Sequence, residues 1–187
     1  MRPAFDALFD IDEAMGEVVA RSTQPALAAV KLAWWRERLE ELDQGKVPAE
    51  PRLQAAAAAL LPRGIRGAEL AEIEAGWAPL LQEKPDYELA FQRGAIVFAV
   101  AARLLDADQW PGLDVAGRAY ALQTLIRHGF GVKSGDRAEF LPASPRRLRP
   151  LTGLTALAIR DLKRGNEPEG TPGRAWTLLR HRLTGNY

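Results

Sequence analysis

The chain has 187 residues, a formal net charge of +1, two histidines and no cysteine. Such a length suits one domain whose core needs no disulfide. The missing cysteines exclude thiolate metal sites and Cys nucleophiles, and His128 and His181 are too few for a His-rich metal centre. The near-neutral total hides an asymmetry. Residues 1–90 hold 10 Lys/Arg against 16 Asp/Glu, and residues 91–187 hold 15 against 8. The two halves are expected to neutralise each other across the fold; the alternative is a basic face for anions, lipid headgroups or a partner. The acidic start, "MRPAFDALFDIDEA", has no apolar signal core. The longest apolar run, "GAIVFAVAA" (94–102), is shorter than the ~18 residues that span a bilayer. The expected location is cytoplasmic, with contact at the periphery of the inner membrane left open.

In chain order, every periodic segment has helical spacing. Phe5, Leu8, Asp12, Met15 and Val19 share one face of a first helix, where Asp12 alone is out of character. A helix over 25–43 opens with Pro25, whose missing N–H costs nothing in a first turn. Leu32, Trp35, Leu39 and Leu42 form one apolar stripe, and Leu27, Val30 and Trp34 a second. Two stripes predict a central, well-covered helix, ended by Gly45. An Ala-rich helix follows over 53–61. One helix is predicted over 67–82, carrying Leu70, Ile73, Trp77 and Leu80/Leu81. The most apolar helix spans about 86–106, with Tyr87, Phe91, Ala95, Phe98, Ala102 and Leu105 on one face. Val115, Ala119, Leu122 and Ile126 stand in register over 113–128.

The segment 129–150 then holds three Gly, three Pro and the basic cluster Arg146, Arg147 and Arg149. Irregular stretches of that length are usually functional or mobile. A helix over 150–164 and a last one, with Thr171 as N-cap, Pro172 at its first turn and Trp176, Leu179 and Leu183, close the chain. No alternating run suggests a strand. The expected fold is all-α, one helical bundle over residues 1–187.

Few residues suggest chemistry by themselves. No Gly-rich phosphate loop is present. His128, at a helix C-terminus after Arg127, reads as a cation favoured by the helix dipole rather than as a base. Asp6, Asp10, Asp12, Glu13 and Glu17 place carboxylates one turn apart. Such pairs can hold Mg²⁺ with substrate phosphates, though on spacing alone a solvated acidic face is the simpler reading. Arg146, Arg147 and Arg149 suit phosphate or anionic lipid, or merely a solvated loop. Nucleic acid is disfavoured, because no aromatic–basic interleaving accompanies the cluster.

Four stretches carry a resemblance to a known family: "PAFDALFDIDEAMGEVVA" (3–20), "LAWWRERLEEL" (32–42) with "GKVPAEPRLQAAAAAL" (45–60), "ALQTLIRH" (121–128) with "EFLP" (139–142), and 149–185. Their order resembles the squalene/phytoene synthases, the head-to-head prenyltransferases of the all-helical isoprenoid synthase fold. The resemblance implies a shortened bundle of that type. It also implies two Asp-rich motifs that hold Mg²⁺ against a substrate diphosphate, whose departure needs its charge neutralised.

Both motifs are degenerate here. Gly16-Glu17-Val18-Val19-Ala20 stands at the first, leaving one carboxylate, Glu17, while Asp12 lies one helical turn before Gly16 on the same face. At the second, with Gln123 and Arg127 before it, His128 replaces the expected Asp, and no carboxylate comes before Asp136. The chain is most similar to the degenerate branch of the family, whose mitochondrial relatives act in respiratory complex I assembly. The resemblance implies a non-catalytic protein with no cofactor, which binds a protein partner or an isoprenoid-like lipid. Trp34 and Phe98 would wall the former prenyl cavity. The alternative is a Mg²⁺-dependent prenyl-diphosphate transferase with Asp12, Glu17 and Asp136 on the metals and Arg127 on the diphosphate. A third reading is a lipid-surface accessory protein using Arg146, Arg147 and Arg149.

Overall fold

The computed structural model describes residues 1–132, 141–165 and 167–187, and the described residues contain helices and no strand. The helices are α1 (Arg2–Ala20), α2 (Pro25–Leu42), α3 (Pro51–Ala59), α4 (Gly67–Ala71), α5 (Glu74–Trp77), α6 (Tyr87–Leu104), α7 (Leu113–Arg127), α8 (Arg149–Arg164) and α9 (Pro172–Thr184). Short 3₁₀ turns follow α3 and α5 at Leu61–Arg63 and Ala78–Leu81. Local chemistry explains the helix ends. Pro25, Pro51, Pro150 and Pro172 stand in first turns, where no intrahelical N–H bond is lost. Glu50 caps α3 by accepting from the Leu53 N–H at 2.8 Å. Gly45, past the end of α2, takes φ +75°, and the Lys46 N–H reaches back to the Glu41 carbonyl. That left-handed turn suits a residue without Cβ.

The helices pack roughly in chain order. α1 contacts α2, α3 and α6; α6 lies against α5 and α7; α8 covers α7; and α9 lies on α8. The tightest crossing is between α6 and α7. A Cβ on Gly94 would overlap the Gly117 carbonyl oxygen, and one on Gly117 would overlap that of Gly94. The two backbones therefore touch, which only glycine permits at both positions. This contact turns the small residues of both helices inward. Ala90, Gly94, Val97 and Ala101 of α6 and Ala116, Gly117 and Ala121 of α7 are buried. Of the expected stripes, Phe98 and Ala102 on α6 are buried, whereas Tyr87, Phe91 and Ala95 on α6, Leu105 at its end and Val115, Ala119, Leu122 and Ile126 on α7 are only half-buried.

Two other expectations need correction. The single helix over 67–82 is broken into α4, α5 and a 3₁₀ turn. Gly76 sits where the Arg93 side chain leaves no room for a Cβ, and Pro79 removes a backbone donor. Its anchors Leu70, Ile73, Trp77 and Leu80 are nevertheless all buried. The second correction concerns α2, which is an edge helix covered from one side by α1, α4 and α5. Only the stripe Ala28, Leu32, Trp35, Leu39 and Leu42 is buried; Leu27, Val30 and Trp34 face outward, Trp34 being 40% exposed.

The adjacent tryptophans thus divide, one in and one out, with their rings edge to face at 5.4 Å. Two substitutions test this division. Trp35→Ala is expected to cost about 3–5 kcal/mol, and Val30→Ser less than about 0.5 kcal/mol, both read by urea denaturation.

The charged halves meet in part as expected. Asp12 pairs with Arg93, Glu69 with Arg103, Glu88 with Arg118 and Glu13 with His128. No helix among the described residues is long and apolar enough to cross a membrane.

Candidate functional site

The residues that the resemblance places at its two motifs come partly together. Gly16 on α1 faces His128, the C-cap of α7, and Trp77 at the end of α5. A Cβ on Gly16 would lie 2.9 Å from two Trp77 ring carbons and 3.0 Å from His128 Nε2. The His128 ring stands edge-on to Trp77, with centroids 5.7 Å apart, and its Nε2 lies 3.5 Å from Glu13 Oε2. The indole of Trp77 is fully buried. It packs against both Gly16 of α1 and His128 at the end of α7, and Gly16 is the residue that lets it approach.

Below Gly16, Asp12 is 1% exposed and is satisfied from three directions. Arg93 of α6 donates to its Oδ1, the Trp77 Nε1–H donates to the same oxygen at 2.9 Å, and the Tyr120 hydroxyl donates to Oδ2 at 3.3 Å. Arg93 is itself fully buried. Its Nε and Nη2 have no hydrogen-bond partner, while its guanidinium carbon lies 3.9 Å from the centroid of the Trp77 ring. Cation–π attraction there offsets part of the missing solvation. Burial, with the Asp12 charge second, pushes Tyr120 well above its ordinary pKa, so the phenol remains a donor.

The other motif residues turn elsewhere. Glu17 lies 2.8 Å from Arg21 and 3.6 Å from Arg52. It borders a cleft of about 370 Å³ between the end of α1 and the start of α2, together with Arg21, Lys31, Trp35 and Arg52. Ala20, the last residue of α1, is exposed. Gln123 and Arg127 point toward α8. Arg127 Nη2 donates to Asp161 Oδ2 at 2.7 Å, Gln123 Nε2 donates to the same oxygen at 3.4 Å, and Arg174 of α9 also binds it. The guanidinium expected on a diphosphate is thus held by a carboxylate that is 3% exposed. Asp136 lies outside the described residues, as do Glu139 and Phe140 of "EFLP".

Two further assignments are corrected by the packing. Trp34 does not wall a cavity, because α2 is an edge helix and presents it to solvent. Phe98 is fully buried, with its ring 5.5 Å from that of Tyr120, in the core between α6 and α7. Arg149 does not belong to a free basic loop. It begins α8 and donates to the carbonyls of Arg182 and Leu183 at 3.0 and 2.8 Å, closing the C-terminus of α9. Arg146 and Arg147 remain exposed.

Mg²⁺ does not fit this arrangement. Asp12 would have to surrender a buried arginine to take a cation, and Glu17 is shared by two arginines. Among the described residues no group of three or more His, Asp or Glu is placed to hold a metal ion.

One buried cluster had no clear signal in the sequence. Ser144, Thr152 and His181 are 2%, 0% and 1% exposed. The Ser144 and Thr152 hydroxyls lie 2.6 Å apart, Thr152 Oγ1 is 2.9 Å from His181 Nε2, and His181 Nδ1 is 3.0 Å from the Asn186 carbonyl oxygen. With no carboxylate behind the imidazole and no opening to solvent at the hydroxyls, the cluster ties the C-terminus to α8 rather than serving as a nucleophile.

Burial, and then the neighbouring Arg149 and Arg180, lower the His181 pKa below 6.5, against the bond to Asn186. A lowered folded pKa means that the unfolded chain binds the proton first, so stability is full above pH 6.5 and falls as the pH drops through that value. The melting temperature is therefore expected to fall between pH 7.5 and 5.5. His181→Gln should start lower and lose most of that slope.

Compared with family models, characterised proteins and solved structures, the chain matches none.

Proposed function

We propose that this chain is a non-catalytic protein of squalene/phytoene synthase-like type, which acts by binding a protein partner. The observation that carries this reading is the Trp77 indole between the two motif helices. It stands over Gly16 and against His128, with Asp12 already committed to Arg93. A diphosphate with its cations would need that space, and Asp12 and Glu17, the described carboxylates that would hold them, are paired with arginines. Asp161 neutralises Arg127 in the same way. A protein ligand is favoured over an isoprenoid-like lipid, because Phe98, the expected cavity wall, is packed in the core. Leu27, Val30 and Trp34 offer an outward apolar stripe on α2, running toward the exposed Glu37. Its natural complement is an apolar groove. A role in assembling a respiratory complex is compatible with such a surface.

The reading is tested by turnover. With farnesyl or geranylgeranyl diphosphate and Mg²⁺, the protein is expected to release no diphosphate above an enzyme-free control. Release abolished by a chelator would establish the transferase instead.

A further inference from the structure

α9 is attached to the bundle along one face only. Gly173, Arg174, Thr177 and His181 are turned inward, toward α8. On the opposite face Trp176, Leu179 and Leu183 are 65%, 47% and 70% exposed. At about 100° per residue these three and Pro172 fall within roughly 60° of one another, with Arg180 and Arg182 on the two flanks of the stripe. Two more exposed arginines lie at its C-terminal end. Arg146 and Arg147 sit on the turn that the Ser144 N–H ties to the Gly185 carbonyl, and that Arg149 ties to the carbonyls of Arg182 and Leu183. The described segments after residue 140 hold nine Lys/Arg against three Asp/Glu. Two of those acids, Asp161 and Glu167, are already paired with arginines. The face is therefore apolar along its centre and cationic around it.

We propose that this face docks on an anionic membrane surface, with α9 lying in the plane of the interface. Trp176, Leu179 and Leu183 would enter the acyl boundary while Arg146, Arg147, Arg180 and Arg182 meet lipid headgroups. The aliphatic stems of the flanking arginines suit that position, since they cover apolar surface while their charges stay in the headgroup layer. A second copy fits less well, because two such faces brought together would oppose like charges. The proposal is independent of whether the motif residues are catalytic.

The test is flotation of the full chain with phosphatidylcholine vesicles, with and without phosphatidylglycerol. The protein is expected to float with the anionic vesicles only, and less so as salt is raised. The double variant Trp176→Ser/Leu183→Ser should lower the bound fraction about tenfold or more. Arg180→Gln and Arg182→Gln should each lower it roughly fivefold. All four side chains are exposed, so circular dichroism should show the variants folded, and Val47→Ser in the exposed loop after α2 should bind as the parent does. Absence of flotation with every vesicle would overturn the proposal. So would binding unchanged by Trp176→Ser/Leu183→Ser, or a dimer that this double variant dissociates in a protein that does not float.

Discussion

Asp12→Ala is expected to destabilise the fold by about 3–5 kcal/mol, the cost of leaving a buried charge without its partner. The substitution strands Arg93, which is fully buried and has no other hydrogen-bonded anion. It also removes the acceptor of the Trp77 indole N–H. Urea denaturation with and without Mg²⁺ reads the loss. A carboxylate kept for a metal would behave in the opposite way, because unneutralised carboxylates at a binding site are usually held at a cost and their removal stabilises. A stabilised Asp12→Ala protein, or a parent protein stabilised by Mg²⁺ through Asp12, would contradict the structural role given to this residue. The double variant Asp12→Ala/Arg93→Met should recover part of the loss, since it removes both buried charges together.

Gly94→Val should be as damaging for a different reason. Its side chain would have to occupy the position of the Gly117 backbone carbonyl, which has no rotamer by which to yield. The expected cost is about 3 kcal/mol or more. In a chain of this size that lowers the melting temperature by roughly 6–12 °C. Gly153→Ala is the matched control. Its Cβ would meet only the tip of Leu178, at 3.2 Å, and the change should stay within about 1 kcal/mol. Equal effects at Gly94 and Gly153 would show that α6 and α7 do not cross by backbone contact.

The fold class was legible because helical spacing, first-turn prolines and the glycine after α2 act locally. What was not legible depends on neighbours. The side of α2 that is covered follows from where α4 and α5 lie, and neither position is written in α2. The same holds for α9, whose apolar stripe has the spacing of a core face and yet looks outward. On α6 the expected stripe holds at Phe98 and Ala102, but the glycine crossing also turns Ala90, Gly94 and Val97 inward, and on α7 it moves the buried face to Ala116, Gly117 and Ala121. The break between α4 and α5, at Glu72 and Ile73, had no such signal, whereas Pro79 stands where α5 gives way to the 3₁₀ turn.

The site itself had one readable signal. Asp12 on an apolar helix face and Arg93 in the most apolar helix are each out of place, and charges of opposite sign in two buried helices suggest a pair. The carboxylate spacing around residue 12 gave no such information. It suits a metal site and a solvated face equally well, and it is the apolar stripe around Asp12, with Trp77 and Arg93 packed on it, that separates Asp12 from its exposed neighbours Asp6, Asp10 and Glu13.

The space between Gly16 of α1 and His128 at the end of α7 is taken by the core residue Trp77 and is not open to a substrate. Titration calorimetry with a non-hydrolysable farnesyl diphosphate analogue, with and without Mg²⁺, tests it most directly. The account predicts no binding in either condition. Binding that appears only with Mg²⁺ and disappears in Asp12→Asn would contradict it.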